Sequence, residues 1–151
     1  MVIETKRLKL RVMTDAEMEA IIESEESPEM KQAYSEMLCG AKEHPLEREW
    51  YAIWAIELKD GVRIGDLCFK GVADGKTEIG YGIYDEFQGN GYMTEAAEAA
   101  CDYAEKQGLV VEAEAEKGNL ASLRVLEKCN FVYAGYDGEE GPRFIRKRKA
   151  F

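Results

Sequence analysis

The sequence predicts an α+β fold with a mixed, mainly antiparallel sheet flanked by helices. Leu8, Leu10 and Val12 alternate with basic residues, which is the period of a half-buried strand. Asp-Gly pairs at 60–61 and 74–75 are hairpin turn signals between three further strands. An alanine-rich helical segment then leads into another alternating segment. The predicted order of elements is therefore βααβββαβαββ.

The first half of the chain is predicted to hold one strand, two helices and an antiparallel meander. Lys6 to Val12 forms the first strand. Thr14 and Glu17 have the spacing of a capping box, and the helix they begin ends near Glu25. Pro28 opens a second helix that ends before a loop. The loop is predicted at 41–47, and the strands of the meander at 49–58, 62–72 and 77–84.

The second half is predicted to add two helices and three strands. Gly108 ends the alanine-rich helix, whose small residues allow it to lie close to the sheet. Asn130 has the left-handed tendency that ends a short helix beginning at Asn119. The remaining predicted segments are a helix at 92–107, a strand at 110–116 and a closing antiparallel pair at 131–136 and 143–151. Basic residues at 146–149 are interpreted as charges that protect an edge strand from aggregation.

Composition limits the classes of function. The 151 residues, 46% hydrophobic and 33% charged, predict a single domain spanning 1–151. The net charge of −10 argues against binding to nucleic acid or to an anionic membrane. No apolar segment approaches the roughly 20 residues that cross a bilayer. The first residues lack the pattern of a secretion signal, so a cytoplasmic location is expected.

The cysteines and the one histidine do not predict a metal site. Cys39, Cys68, Cys101 and Cys129 are spread evenly, without the paired spacing of zinc ligands. Free thiols in a reducing compartment are expected. His44 precedes a proline in a predicted loop, which favours a surface turn over a catalytic role.

The loop Gln88-Gly89-Asn90-Gly91-Tyr92-Met93 lies where a predicted strand turns into a helix. The first N–H groups of a helix have no intrahelical partner, and the helix dipole adds partial positive charge there. Glycine at 89 and 91 would allow the backbone to approach a ligand closely. This loop is therefore a candidate anion site for a phosphate or pyrophosphate, although an ordinary turn is the alternative.

The loop resembles the acetyl-CoA loop of the GNAT superfamily of N-acetyltransferases, whose pattern is Gln/Arg-x-x-Gly-x-Gly/Ala. Gln88, Gly91 and Met93 take the marked positions, and Met93 departs from the small residue found there. The segment 119–131 resembles the last-helix signature of the ribosomal-protein (RimJ/RimL-like) branch, with Asn130 in place of its glycine. The segments 5–11, 78–81 and 91–96 also resemble this branch.

The resemblance implies the GNAT fold over the whole chain, with acetyl-CoA as cosubstrate and no metal. It places pantetheine against the fourth strand of the predicted order and the pyrophosphate at the loop. The residues it assigns to acetyl-CoA are Ile83, Tyr84, Gln88, Gly89, Asn90, Gly91, Tyr92, Met93, Asn119, Arg124 and Lys128. For Arg124 and Lys128, solvated helix charges are an equal alternative.

Acetyl transfer to an amine needs a neutral nucleophile, donors for the oxyanion and a proton for the thiolate. Glu78, on the cofactor strand, is the first candidate for the base. The resemblance implies that Asn119 hydrogen-bonds the cofactor and that Ser122 lies near the sulfur, so Ser122 is a candidate for delivering the proton to the thiolate. Tyr133 is a second candidate for delivering that proton. Glu112 and Glu114 are the next candidates for the base.

The predicted function is acetyl transfer to a primary amine by direct attack in a ternary complex. The alternative is a module of the same fold that binds or senses acyl-CoA without turnover. Protein termini, other peptides, polyamines and antibiotics all fit as acceptors, and the oligomeric state, including a homodimer, stays open. Glu112, Glu114 and Glu116 are expected either to face solvent or to line a wet cleft that attracts a cationic amine.

Overall fold

A computed structural model describes residues 1–147 of the chain, which form eight strands and four α-helices. In this part of the chain the strands are β1 (Val2–Glu4), β2 (Leu8–Val12), β3 (Ile53–Leu58), β4 (Arg63–Phe69), β5 (Lys76–Ile83), β6 (Val110–Glu114), β7 (Phe131–Asp137) and β8 (Pro142–Arg146). The helices are α1 (Asp15–Ser24), α2 (Pro28–Glu43), α3 (Tyr92–Lys106) and α4 (Leu120–Lys128). Short 3₁₀ turns span Pro45–Trp50 and Asp85–Phe87.

The strands form one sheet in the order β1-β2-β3-β4-β5-β6-β8-β7. Neighbouring strands are antiparallel except β5 and β6, which are parallel and are joined through α3. Their pairing is short, because Lys76, Thr77 and Glu78 pair with β6 and the rest of β5 does not. The two strands therefore separate after Glu78, and a gap opens beside the carboxyl end of β5.

Two apolar layers cover the faces of the sheet. Strand residues such as Trp54, Leu67 and Ile79 pack with the alanines of α3 and with Leu126 of α4. On the other face, residues of β3 such as Ile53 and Ala55 pack with Met13, Met18 and Ala41 beside α1 and α2. Alternation along each strand sends neighbouring side chains to opposite layers. The sheet thus has an α3/α4 face and an α1/α2 face.

Local sequence signals predicted the start of α1 and the end of α4 correctly. The Thr14 side chain accepts from the Glu17 N–H, and the Glu17 side chain accepts from the Thr14 N–H, so the predicted capping box is confirmed. Asn130 has a φ of 69°, as predicted for the end of the short helix. Trp50 and Trp54 are buried in the core of the α3/α4 face.

Other boundaries differ from the prediction. The short edge strand β1 was not predicted, because only its pairing with β2 makes it a strand. Helix α2 continues to Glu43, and β3 begins at Ile53, because Pro45–Trp50 forms a 3₁₀ turn instead of a loop and strand. The last strand ends at Arg146, and the predicted continuation at 148–151 lies outside the described residues.

Arg146 does not protect a strand edge. Its side chain is buried and donates to the backbone carbonyl of Cys129 at 3.0 Å. It also forms ion pairs with Asp102 and Glu105 of α3, at 3.0 and 3.1 Å. The interpretation of the basic run is therefore wrong at Arg146, because α3 supplies partners that the local sequence does not show.

Candidate active site

A cavity of about 510 Å³ lies on the α3/α4 face, beside the carboxyl end of β5. It is bounded by β5, the loop before α3, and the first turns of α3 and α4. Its lining residues are Tyr81, Gly82, Ile83, Phe87, Gln88, Gly89, Gly91, Tyr92, Met93, Thr94, Asn119, Ala121, Ser122, Arg124, Val125 and Lys128. The cavity therefore joins the two sequence motifs, which are separated along the chain by a helix and a strand.

The N-terminus of α3 opens into this cavity. Its N-cap residue, Gly91, has a φ of 78° and provides no side-chain cap, whereas α1, α2 and α4 are capped by Thr14, Ser27 and Asn119. The left-handed φ favours glycine, since a side chain there is strained. The first N–H groups of α3 are thus left for a ligand.

Hydrogen bonds within the loop hold its curved shape. Asn90 Nδ2 donates to the carbonyls of Phe87 and Gln88 at 3.1 and 3.3 Å. The Gln88 side chain donates to the Ile83 carbonyl at 3.0 Å and to Asp85 at 3.3 Å. These two polar residues therefore maintain the loop through contacts with protein groups, and Asn90 is not part of the cavity lining.

Arg7 fixes the loop from outside. Its guanidinium donates to the Asn90 carbonyl at 2.9 Å and lies over the Tyr92 ring, 4.5 Å from the centroid. The same side chain pairs with Glu95 at 2.7 Å, and Thr5 donates to Glu95 at 2.6 Å. Burial raises the pKa of Glu95, but the hydrogen bonds from Thr5 and Arg7 outweigh it, so the pKa lies below its usual value. The segment before β2 thereby ties α3 and its loop to the sheet.

The start of α4 places Asn119 and Ser122 at the cavity, where they meet Tyr81 of β5. Asn119 Oδ1 caps the helix by accepting from the Ser122 N–H at 3.0 Å. Its amide nitrogen has no hydrogen-bond partner among residues 1–147. Ser122 Oγ lies 3.2 Å from the Tyr81 hydroxyl of β5. Burial raises the pKa of Tyr81 to about 12, so this hydroxyl keeps its proton at neutral pH.

Sequence reasoning missed Tyr81. The signal was present, because Tyr81 is two residues from Ile83 and strand alternation places both side chains on one face. Arg7 was missed for another reason. Its partners Asn90 and Glu95 are more than eighty positions away along the chain.

Arg124 and Lys128 lie one helical turn apart on the exposed side of the cavity wall. Within the described part of the chain neither forms an ion pair. They are therefore two uncompensated cations near the mouth of the cavity, which can attract a polyanion.

Tyr84 and Tyr133 lie outside the cavity lining. The Tyr84 N–H donates to the Ile64 carbonyl at 2.9 Å, and its carbonyl accepts from the Phe87 N–H at 2.9 Å. The Tyr133 hydroxyl donates to Asp137 at 3.1 Å on β7. Ile83 and Tyr84 were both expected to contact pantetheine. Ile83 lines the cavity, whereas the backbone N–H and carbonyl of Tyr84 are hydrogen-bonded to Ile64 and Phe87.

Glu78 also lies outside the cavity lining, in a cluster of charges on the α1/α2 face. Its carboxylate accepts from Lys70 Nζ at 2.8 Å and from Arg143 at 2.9 Å. Burial raises the pKa of Glu78, but Lys70 and Arg143 outweigh this effect and lower it below its usual value. A lowered pKa makes this carboxylate a weaker base, so its surroundings oppose the predicted role.

Arg143 and Lys76 also bear on the expectation for the glutamates in and just after β6, which are Glu112, Glu114 and Glu116. Arg143 pairs with Glu112 at 3.0 Å and with Glu114 at 3.3 Å, and Lys76 lies 3.5 Å from Glu112. The side chains of Glu112 and Glu114 are only 12% exposed. Both expected arrangements, an open acidic face and a wet acidic cleft, are therefore wrong for these two residues. Glu116 alone is exposed.

The remaining sequence expectations concern the cysteines, the histidine, metal sites and membrane-spanning helices. The four cysteines are free thiols, and His44 stacks on Tyr51 with centroids 4.0 Å apart. Within residues 1–147, no group of three or more His, Cys, Asp or Glu side chains is arranged to hold a metal ion. Among the described helices, none has the length and apolar character needed to span a bilayer.

The family described as the acetyltransferase (GNAT) domain matches residues 5–132. This chain belongs to the GNAT family. None of the curated protein sequences compared with it matches significantly. The mixed sheet and flanking helices are the GNAT fold, as the sequence predicted, and membership supports acetyl transfer as the general activity.

Solved structures of other acetyltransferases share the fold. An acetyltransferase from Agrobacterium tumefaciens is 21% identical with a TM-score of 0.77, covering 98% of this chain and 95% of that chain. The ribosomal-protein-S5-alanine acetyltransferase from Vibrio fischeri is 16% identical with a TM-score of 0.73, covering 96% and 94%. RimL, a ribosomal L7/L12 α-N-protein acetyltransferase in complex with coenzyme A, is 18% identical with a TM-score of 0.73, covering 97% of each chain.

Proposed function

We propose that this GNAT protein transfers the acetyl group of acetyl-CoA to a primary amine by direct attack within a ternary complex. The observation that carries the proposal is the cavity, in which the uncapped N-terminus of α3 and the Asn119–Ser122–Tyr81 group line one space. An anion site at one end and hydroxyl donors at the other match the two ends of acetyl-CoA. When bound, acetyl-CoA supplies an activated thioester carbonyl.

The pyrophosphate is proposed to bind at the first turn of α3. N–H groups at Tyr92 and Met93 would donate to it, and the helix dipole adds favourable charge. The Met93 side chain does not prevent this, because the donor is its backbone. Arg124 and Lys128 would contact the outer phosphates and speed capture of the anionic cosubstrate.

Pantetheine is proposed to lie along the edge of β5 that β6 leaves unpaired. An extended amide chain can add to a free strand edge through backbone hydrogen bonds. Ile83 lies at this edge and lines the cavity. Its carbonyl can accept from pantetheine while also accepting from Gln88, since a carbonyl oxygen has two lone pairs.

The Tyr81–Ser122 hydroxyl pair is proposed to supply the proton that the departing thiolate needs. Tyr81 stays protonated at neutral pH because burial raises its pKa to about 12. Ser122 can pass a proton from Tyr81 to a sulfur, because its hydroxyl both donates and accepts. Asn119 would donate from its free amide nitrogen to the cosubstrate while its oxygen caps α4.

Peptide α-amines are proposed as one acceptor class, because the names of two structural neighbours refer to acetylation of ribosomal proteins. An α-amine has a reference pKa of about 7.7–8, against about 10.4 for lysine. A larger share of α-amine is therefore neutral at physiological pH. S5 and L7/L12 are named for those neighbours only. Polyamines are a further possible acceptor class, and the acceptor panel below therefore includes one.

The test is an acceptor panel with acetyl-CoA, containing a peptide with a free α-amine, the same peptide with its α-amine blocked and one lysine, and spermidine. Free CoA thiol is measured over time, and mass spectrometry locates the acetyl group. Acetylated amine with matching CoA release supports the proposal. Binding of acetyl-CoA by calorimetry without turnover on any amine would favour the sensing alternative. No binding at all would contradict both.

A further inference from the structure

Asp66 is a half-buried carboxylate on the α1/α2 face that the cavity described above does not use. It lies on β4, opposite Ala55 of β3 and Gly82 of β5. Its neighbour Leu67 packs in the α3/α4 layer, so alternation sends the Asp66 side chain to the other face. Asp66 therefore stands one strand away from the edge of β5 along which pantetheine is proposed to lie.

The Asp66 carboxylate has no hydrogen bond or ion pair in the part of the chain that the structure describes. The titratable and charged groups that interact electrostatically with it are Arg63 and Cys68 on its own strand, Glu25 after α1 and Tyr34 of α2. Tyr84, after β5, faces Tyr34 in turn. A partly buried carboxylate without a partner is costly, which is typical of a group kept for a ligand.

The surroundings of Asp66 raise its pKa towards neutral pH. Burial raises its pKa to about 6, Arg63 opposes this effect, and Glu25 adds to it. Above that pH Asp66 is ionised and can accept a proton. Glu78, by contrast, is held by Lys70 and Arg143, which stabilise its ionised form. Of these two carboxylates, Asp66 is therefore the better matched to proton transfer at neutral pH.

Open space adjoins Asp66 over β5. A Cβ added to Gly82 would meet nothing within 4 Å, and it would point to the α1/α2 face because Tyr81 points to α4. The backbone of Gly82 also lines the cavity on the opposite face. Beyond Glu78 no strand formed by residues 1–147 covers this edge of β5, so a small group above Gly82 has access to a group held along the edge.

We propose that Asp66 is a catalytic residue that receives the acceptor ammonium above Gly82 and takes its proton. The inference rests on the proposed acetyl transfer and adds the position and charge of the acceptor. It assigns the acceptor to the α1/α2 face and acetyl-CoA to the cavity on the α3/α4 face. The acceptor class that fits is a cationic primary amine on a chain thin enough to pass above a glycine.

Acetyl transfer from the thioester to the amine balances in protons and bonds without a further reactant. The Asp66 carboxylate takes one proton from R–NH₃⁺ and becomes the neutral acid. The R–NH₂ lone pair forms the C–N bond to the thioester carbon, and the C–S bond breaks. The thiolate takes a proton from the Ser122–Tyr81 pair, and the proton lost by the attacking nitrogen restores that pair. Asp66 then releases its proton to solvent, so the products are the amide, CoA thiol and H⁺.

The decisive variant is Asp66→Asn, which keeps the shape and removes the base. The acceptor is the panel member with the highest rate. For the wild type, kcat/KM corrected for the amine's own ionisation should fall as pH drops through about 6, because Asp66 becomes protonated. In Asp66→Asn this inflection should vanish, and kcat/KM at pH 8 should fall by about 10²-fold or more. Calorimetric binding of CoA should be unchanged.

Two neighbouring variants give shifts of opposite sign. Glu25→Gln should move the inflection to lower pH, and Arg63→Gln to higher pH, because these charges raise and lower the pKa of Asp66. The matched control is Asp60→Asn, at an exposed hairpin turn where Asn-Gly is equally suitable. It should leave the rate and the pH profile unchanged. A role of Asp66 in folding alone would not move the inflection.

The outcomes separate the two proposals. If the wild type acetylates no amine, the proposed function fails and takes this inference with it. If the wild type is active and a folded Asp66→Asn variant keeps its rate and its inflection, only the role of Asp66 is refuted. Loss of the inflection together with the opposite shifts of Glu25→Gln and Arg63→Gln would support it.

Discussion

Replacing Gly91 by alanine tests whether the conformation of the α3 loop determines CoA binding. Gly91 has a φ of 78°, which costs an L-residue roughly 1–2 kcal/mol. An added Cβ would lie 3.4 Å from the end of the flexible Arg7 side chain, so a steric clash adds little. Alanine also keeps the N–H. The expected loss therefore comes from backbone strain alone.

The strain energy of the alanine variant sets the expected loss of affinity for CoA. If the free loop relaxes to another conformation, the apparent Kd equals the intrinsic Kd divided by the fraction of molecules whose loop stays in the binding conformation. A cost of roughly 1–2 kcal/mol then weakens CoA binding about 5- to 30-fold. Gly91→Pro should lose more, because proline removes the N–H and fixes φ near −65°.

The assay is isothermal calorimetry with CoA, together with urea unfolding of each variant. The matched control is Gly75→Ala in the β4–β5 turn. Gly75 has a φ of 74°, and an added Cβ there meets nothing within 4 Å. Both variants should lose stability, but only Gly91→Ala should lose affinity. Equal affinity in Gly91→Ala and wild type, or an equal loss in Gly75→Ala, would refute the role of the loop.

Three further variants test the cavity and the fold. Asn119→Ser keeps an N-cap but loses the free amide nitrogen, so kcat/KM should fall about 2- to 10-fold with little change in the urea midpoint. Arg124→Gln/Lys128→Gln should weaken CoA binding and flatten its dependence on salt in calorimetric titrations, since two screened attractions are removed. Glu17→Gln should destabilise the protein by about 1 kcal/mol at pH 7, because Glu17 pairs with Arg11 at 2.7 Å while both remain about a third exposed.

The pH dependence of the last variant has a definite sign. The hydrogen bond from Arg11 lowers the pKa of Glu17 from 4.5 to about 2. Its stabilisation is therefore present above about pH 4.5 and is lost as pH falls towards 2, so urea unfolding of wild type and Glu17→Gln should converge there. A difference that stays constant down to pH 2 would contradict this account.

The other two variants have refuting outcomes as well. Full activity in a stable Asn119→Ser variant would leave capping as the whole role of Asn119. An unchanged salt dependence of CoA binding in Arg124→Gln/Lys128→Gln would show that these two side chains only face solvent.

Features decided by neighbours along the chain could be predicted from the sequence. The Thr14–Glu17 capping box, the left-handed Asn130 and the Asn119 cap involve residues within a few positions of one another. The order of strands and helices followed from hydrophobic periodicity, and the fold class was correct for the same reason. The glycine loop was located because a strand, two glycines and a helix are consecutive in sequence.

Tertiary structure alone decided which charges meet. Glu78 was a candidate base on its own strand, but Arg143, 65 positions later, pairs with it. Arg7 contacts the loop carbonyl of Asn90 across 83 positions, and Arg146 is buried against α3. Ion pairs depend on distance in space, and periodicity gives the face of a strand but not the side chains on the next strand.

The sequence by itself thus determined the order of elements from β2 onwards, the family and the two motifs that line the cavity. Each depends on local spacing, which the chain carries directly. Only the tertiary structure showed that β5 separates from β6 after Glu78 and that Tyr81 meets Ser122. It also showed that the Asp66 carboxylate, beside Gly82, has no hydrogen-bond or ion-pair partner among residues 1–147. The physical reason is that strand register and burial set these contacts, and both arise from the packing of segments distant in sequence.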